Sequence, residues 1–254
     1  RRFVPAPAAF VGGGLFAFCG LRYQNLYHFH QLGTFYIPLA LLCTELWLES
    51  ARSRAAVGLA VVVALQLLSS YYLGYALVLL YAALLPIALW RWRATLDRRR
   101  LVGLVAALVA GVAPALLASL PYLELQRLGL VPSARGAETR ALFTMDPRFT
   151  MLQVQRYFAA GSVGIVGFAL GALALVRGWR EAAYPRALAL AACLLGLLLA
   201  CGLGVHVFGQ TLWSPYALLF RFVPGFAAIR LPSRFLVVAQ LGFALLAALG
   251  LREI

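Results

Sequence analysis

Arg230 and Arg234 stand four residues apart in FVPGFAAIRLPSRF (222–235), framed by Pro224 and Pro232 and followed at once by a long apolar run. Proline suits the first turn of a helix, so the pattern predicts a helix that starts near Leu231 to Ser233 and carries Arg234 in its first turn. Free N–H groups and the positive end of the helix dipole favour an anion at such a place before any side chain is added. Two guanidinium groups beside it would hold a phosphate. The plainer reading is a pair of interfacial arginines that sets the depth of a membrane span.

Other chemistry-bearing residues are scattered. His28, His30 and Gln31 fall in the polar run LRYQNLYHFHQL (21–32) with Tyr23 and Tyr27. Two histidines two apart diverge on a helix and share a face on a strand, and no third ligand stands at a fixed spacing, so no metal site is expected. Contact with a polar substrate competes with anchoring at the membrane surface. Glu124, Glu138 and Asp146 could each supply a general base, but each has an arginine within three residues, which makes structural ion pairs the rival role. Glu45 is an acid inside an apolar run, a functional candidate by default, although Arg52 lies close enough in sequence to pair with it. There is no Walker loop, GxSxG or HExxH, and no cofactor is expected. Gly12, Gly13 and Gly14 lie within a span, where they permit close helix packing. Cys19, Cys43, Cys193 and Cys201 read as small hydrophobes.

The elements that must position these residues are read from hydropathy and charge. Hydrophobic residues make up 63% of the 254, and the mean hydropathy is +0.88, far above a soluble domain. Apolar runs at about 4–20, 33–49, 55–69, 72–90, 101–121, 158–176, 184–204 and 235–251 are eight candidate spans, most of them of a length to cross a bilayer core of about 30 Å; 55–69 is short and is open to a re-entrant reading as well. The expected fold is all-α: a polytopic transmembrane helix bundle of about eight spans, forming one transmembrane domain over 1–254 that is a fragment of a longer protein. The break Ser69-Ser70-Tyr71-Tyr72 should divide 55–69 from 72–90 as a hairpin.

All 22 basic residues are arginine and the net charge is +14. On a soluble protein that charge would point to nucleic acid; here the arginines must first be sorted by membrane side. With both ends of the fragment inside, every inner segment is basic, as the positive-inside rule requires. The outer loops are then 21–32, 122–157 and 205–234. They hold nine arginines, Arg22, Arg140, Arg230 and Arg234 among them, against the three acids Glu124, Glu138 and Asp146. Local pairing leaves six outer cations over. A phosphate-bearing lipid at the outer surface would account for them, and nucleic acid is not an expected partner. Arginine without lysine, among so much alanine, leucine and glycine, suits a GC-rich bacterial genome.

The runs FAFCGLRYQNLYHFHQLGTFYIPLALL, LQLLSSYYLGYAL and PGFAAIRLPSRF resemble those of bacterial YfhO-like membrane proteins and of related multi-span proteins of the GT-C glycosyltransferase type. The distinctive part is PGF-x3-R-x-P-x-RF, carried by Pro224, Gly225, Phe226, Arg230, Pro232, Arg234 and Phe235. The resemblance implies a multi-pass protein of the bacterial inner (cytoplasmic) membrane. Such a protein moves a sugar from a polyprenyl-phosphate carrier on the extracytoplasmic face, with Arg230, Arg234 and also Arg22 or Arg140 at the donor phosphate. The catalytic acid of such enzymes falls in a first outer loop, upstream of the matched region, so no catalytic residue is assigned here. Two other classes remain open. A lipid or glycan flippase or transporter would use polar groups at mid-membrane depth, and a non-catalytic membrane subunit would lack the upstream acid.

Overall fold

The computed structural model describes residues 3–20, 33–130, 164–177, 182–207, 210–223, 225–226, 229 and 232–254. In chain order the elements are α1 (Ala6–Ala17), a 3-10 turn (Gly33–Phe35), α2 (Tyr36–Ser50), α3 (Ser53–Ser69), α4 (Tyr71–Trp92), α5 (Arg98–Arg127), α6 (Gly164–Val176) and α7 (Ala183–Ala200). They continue with β1 (Gly204–Val207), β2 (Gln210–Trp213), the short helix α8 (Tyr216–Phe222), a second 3-10 turn (Pro232–Phe235) and α9 (Leu236–Arg252). The eight longer helices fall on the eight apolar runs. Four of them, Tyr71–Trp92, Arg98–Arg127, Ala183–Ala200 and Pro232–Arg252 (α9 with its leading 3-10 turn), are long and apolar enough to cross a membrane. The described residues form two compact units, one of residues 33–130 and the other of 3–20 with those of 164–254.

In the 33–130 unit, α3 packs against α2, α4 and α5. The break between α3 and α4 is where the serines and tyrosines place it. Ser70 is extended (φ −165°, ψ 112°), and its side chain caps α4 by accepting from the Leu73 N–H at 3.4 Å. At the same end Tyr71 Oη donates to the Ala115 carbonyl of α5 at 3.0 Å. At the other end Trp47 Nε1 donates to the Arg100 carbonyl at 2.8 Å, and Trp92 Nε1 donates to Glu45 Oε2 at 3.1 Å. Glu45 is therefore a buried acceptor for an indole at the arginine-rich end. Between these ends the Tyr81 and Thr44 hydroxyls lie 2.6 Å apart and each 3.0 Å from the Ala40 carbonyl, so that one donates to the other and the other donates to the carbonyl.

α5 departs from expectation. It has 30 residues, about 45 Å at 1.5 Å per residue, and runs through Pro114 and Pro121 to Arg127. Residues 122–127, expected in an outer loop, continue the helix, so Glu124 is a helical residue. Its exposed carboxylate lies 3.8 Å from Arg127 Nη1 one turn on. A surface pair of that kind contributes at most about 1 kcal/mol.

The other unit is built around α9, which is enclosed by α1, α6 and α7 and is buried along most of its length. The approach depends on small residues. A Cβ at Gly250 would run into the Leu170 carbonyl of α6, and one at Gly242 would meet the Ala189 carbonyl and Cys193 of α7. Of the three consecutive glycines in α1, only Gly12 faces α9, where a Cβ would lie 2.8 Å from that of Ala248. The buried Gln240 of α9 accepts from Cys19 Sγ at 2.9 Å.

Arg186 also differs from expectation. A cation is expected to stay at the surface unless it is paired, yet Arg186 is 0% exposed. Its Nη2 donates to the Arg177 carbonyl just past α6 and pairs with Glu253 Oε1 at 3.4 Å just past α9. It therefore ties three helix ends together. α7 itself stops at Ala200 rather than near 204, because Gly202 takes a left-handed φ of +65° and turns the chain into β1. β1 and β2 pair antiparallel, with His206 opposite Thr211. This hairpin is an addition to the all-helical expectation. Four-residue strands are too short to distinguish from a loop by pattern.

Candidate functional site

The PGF-x3-R-x-P-x-RF segment follows α8 and leads into α9, and its spacing has a packing account. Ser214 Oγ donates to the Leu198 carbonyl of α7 and accepts from the Tyr216 N–H, both at 3.3 Å, fastening the start of α8 to the end of α7. Tyr216 is thereby held against Phe226 and Phe235, with ring centroids 5.0 and 6.3 Å away. Phe226 and Phe235 stack on each other at 5.8 Å with planes 14° apart. Gly225, at φ +78°, supplies the left-handed turn that brings Phe226 inward; other residue types pay a steric penalty there. The two phenylalanines of the motif are thus buried anchors that bracket the intervening chain.

Pro232 opens the 3-10 turn, and Arg234 lies within it, two residues before α9 begins. The proline opens the helical run as expected, with Arg234 in the leading 3-10 turn rather than in the first turn of α9 itself. Ser233 and Phe235 on either side are buried, whereas Arg234 is half-exposed. No side chain caps α9, and no acid lies in its first turn. A cation at a helix N-terminus is disfavoured by the dipole, and an anion bound there would relieve both charges.

Tyr216 was not singled out by sequence. It is 1% exposed, and its hydroxyl finds no hydrogen-bond partner among the described residues. Burial pushes the phenol's pKa up, so it stays protonated and is a donor. A buried hydroxyl without an acceptor costs about 1–3 kcal/mol. Tyr216→Phe is accordingly expected to raise the stability of the purified protein by up to about 1 kcal/mol in a thermal or denaturant melt. A loss of stability would show that the hydroxyl has an acceptor. The signal available in sequence was the recurrence of aromatic residues at 216, 226 and 235.

Of the remaining candidates, Arg230, Arg22, Arg140, His28, His30, Gln31, Glu138 and Asp146 lie outside the described residues. Glu124 belongs to the 33–130 unit, on α5 as described above. Among the described residues no group of three His, Cys, Asp or Glu is placed to hold a metal ion. Comparison with protein-family models, with curated proteins and with solved structures found no match.

Proposed function

We propose that this chain is part of a GT-C-like membrane glycosyltransferase that takes a sugar from a polyprenyl-phosphate donor on the extracytoplasmic face of the bacterial inner membrane. In this reading all eight long helices cross the bilayer, with the arginine-rich turns inside. Arg230 and Arg234 then neutralise the donor phosphate and the charge that develops on it as the sugar leaves, electrostatic stabilisation of the kind that carries much of group-transfer catalysis. The observation that supports it best is Arg234, half-exposed in the 3-10 turn that leads into the uncapped start of the buried α9, beside the stacked Phe235.

Arg230→Gln with Arg234→Gln is expected to abolish sugar transfer from a lipid-linked donor in membranes, with the amount of folded protein unchanged. Transfer at the unsubstituted rate would overturn the assignment. Accumulation of substrate in vesicles that depends on an ion gradient would instead favour a transporter.

A further inference from the structure

Arg52, Arg54 and Arg99 line an open cleft of about 570 Å³, with Ala51 and Ser53, where the α2–α3 turn meets the start of α5. All three arginines are exposed, and none pairs with a carboxylate among the described residues. Asp97, the nearest acid to Arg99 in sequence, is already engaged. Its Oδ1 accepts from the Arg100 N–H at 2.7 Å and its Oδ2 pairs with Arg100 Nη1 at 3.1 Å. The start of α3 adds to the imbalance. No side chain caps it and no acid lies in its first turn, while Arg52 and Arg54 add charge to the positive end of its dipole. Three cations around one cavity at an uncapped helix start leave a positive potential that an anion would satisfy.

The surroundings indicate which anion. The cleft belongs to the end of the unit where Trp47 and Trp92 bond across the turns. There, too, the Arg93 guanidinium lies 4.4 Å from the ring centroid of the exposed Trp90. Tryptophan and arginine together mark the depth of a membrane–water interface. From Arg54 downward, α3 exposes Val57, Val61, Leu65 and Leu68 at helical spacing, and from Arg99 α5 exposes Val102, Val105 and Val109. The α3 stripe runs about 20 Å at 1.5 Å per residue. Cations at the interface above two apolar stripes match the outline of a phospholipid, with its head at the arginines and its chains along the helices. Basic pockets between helices take anionic headgroups in this way.

We propose that the Arg52–Arg54–Arg99 cleft binds the phosphate of an anionic glycerophospholipid whose acyl chains lie along α3 and α5. The site lies within the 33–130 unit and does not depend on the proposed transfer activity.

The test is native mass spectrometry of the purified chain in detergent. The titrants are phosphatidylglycerol, phosphatidylcholine of the same chain length, and glycerol 3-phosphate. Phosphatidylglycerol should bind tightest. The triple variant Arg52→Gln, Arg54→Gln, Arg99→Gln should weaken it about a hundredfold, at about a factor of five per cation. Arg91→Gln, Arg93→Gln, Arg98→Gln removes the same charge from the same end and should leave binding nearly unchanged. Ser53→Asp places a carboxylate in the cleft and in the first turn of α3, where it supports the helix, and should block phosphatidylglycerol without loss of stability. Equal losses in the two triple variants, or unchanged binding in Ser53→Asp, would overturn the site. Equal affinity for the two lipids would overturn the anionic specificity, and equal affinity for glycerol 3-phosphate would overturn the lipid assignment in favour of a soluble phosphate.

Discussion

Arg186→Met is expected to destabilise the protein by about 3 kcal/mol, the low end of the cost of breaking a buried ion pair. Arg186 lies in the first turn of α7, where the helix's own dipole disfavours it. Its guanidinium reaches instead to the ends of α6 and α9, where carbonyls and the Glu253 carboxylate are favourable to a cation. Removing it leaves that carboxylate and the Arg177 carbonyl without their donor, and the three helix ends lose their common tie. The cost stays at the low end because the Glu253 side chain, at 16% exposure, is not fully cut off from its surroundings. Glu253→Gln should cost less, since the amide still accepts and the 3.4 Å contact is long. Thermal unfolding in detergent, followed by the fraction remaining soluble, would measure both. Melting of Arg186→Met at the unsubstituted temperature would refute the tie.

Gly250→Val should be at least as damaging. A Cβ at 250 already overlaps the Leu170 carbonyl of α6, and that atom is backbone, so no rotamer change can make room. Two branched methyl groups would force α6 and α9 apart. Overpacking of this kind costs about 1–3 kcal/mol or more, and in a membrane close backbone approach is itself a main source of helix association. The expected result is loss of monodisperse protein on gel filtration. Gly13→Val, on the face of α1 where nothing lies within 4 Å of a Cβ, serves as the tolerated control.

The helix positions were legible because hydropathy and proline act locally. Ser70 breaks the chain where two serines and two tyrosines interrupt an apolar run, and Pro232 starts the turn that carries Arg234. The end of α5 was not legible. Pro121 and Glu124 look like the start of a loop, but Leu123, Glu124, Leu125, Gln126 and Arg127 are strong helix formers that carry the helix on. The burial of Arg186 could not be read either. Positive-inside counting records the side on which an arginine lies and is blind to which helix ends it will join. At the α9 segment, the arginines drew attention by charge and Phe226 and Phe235 by the motif, but the closing of both rings on Tyr216 was not legible. Their role depends on contacts across nine residues or more of sequence, which no local pattern encodes.

The tie from Tyr71 to Ala115 has a consequence for the surrounding lipid. Along α5, Arg99 to Ala115 is sixteen residues, a rise of about 24 Å, and α3, with 17 residues, is about as long. An average hydrocarbon core is nearer 30 Å. Within the 33–130 unit α3 is therefore short for such a core, whereas α4 and α5, with 22 and 30 residues, exceed it. A thick bilayer would have to thin locally where it meets α3, at a cost of fractions of a kcal/mol per Å of mismatch.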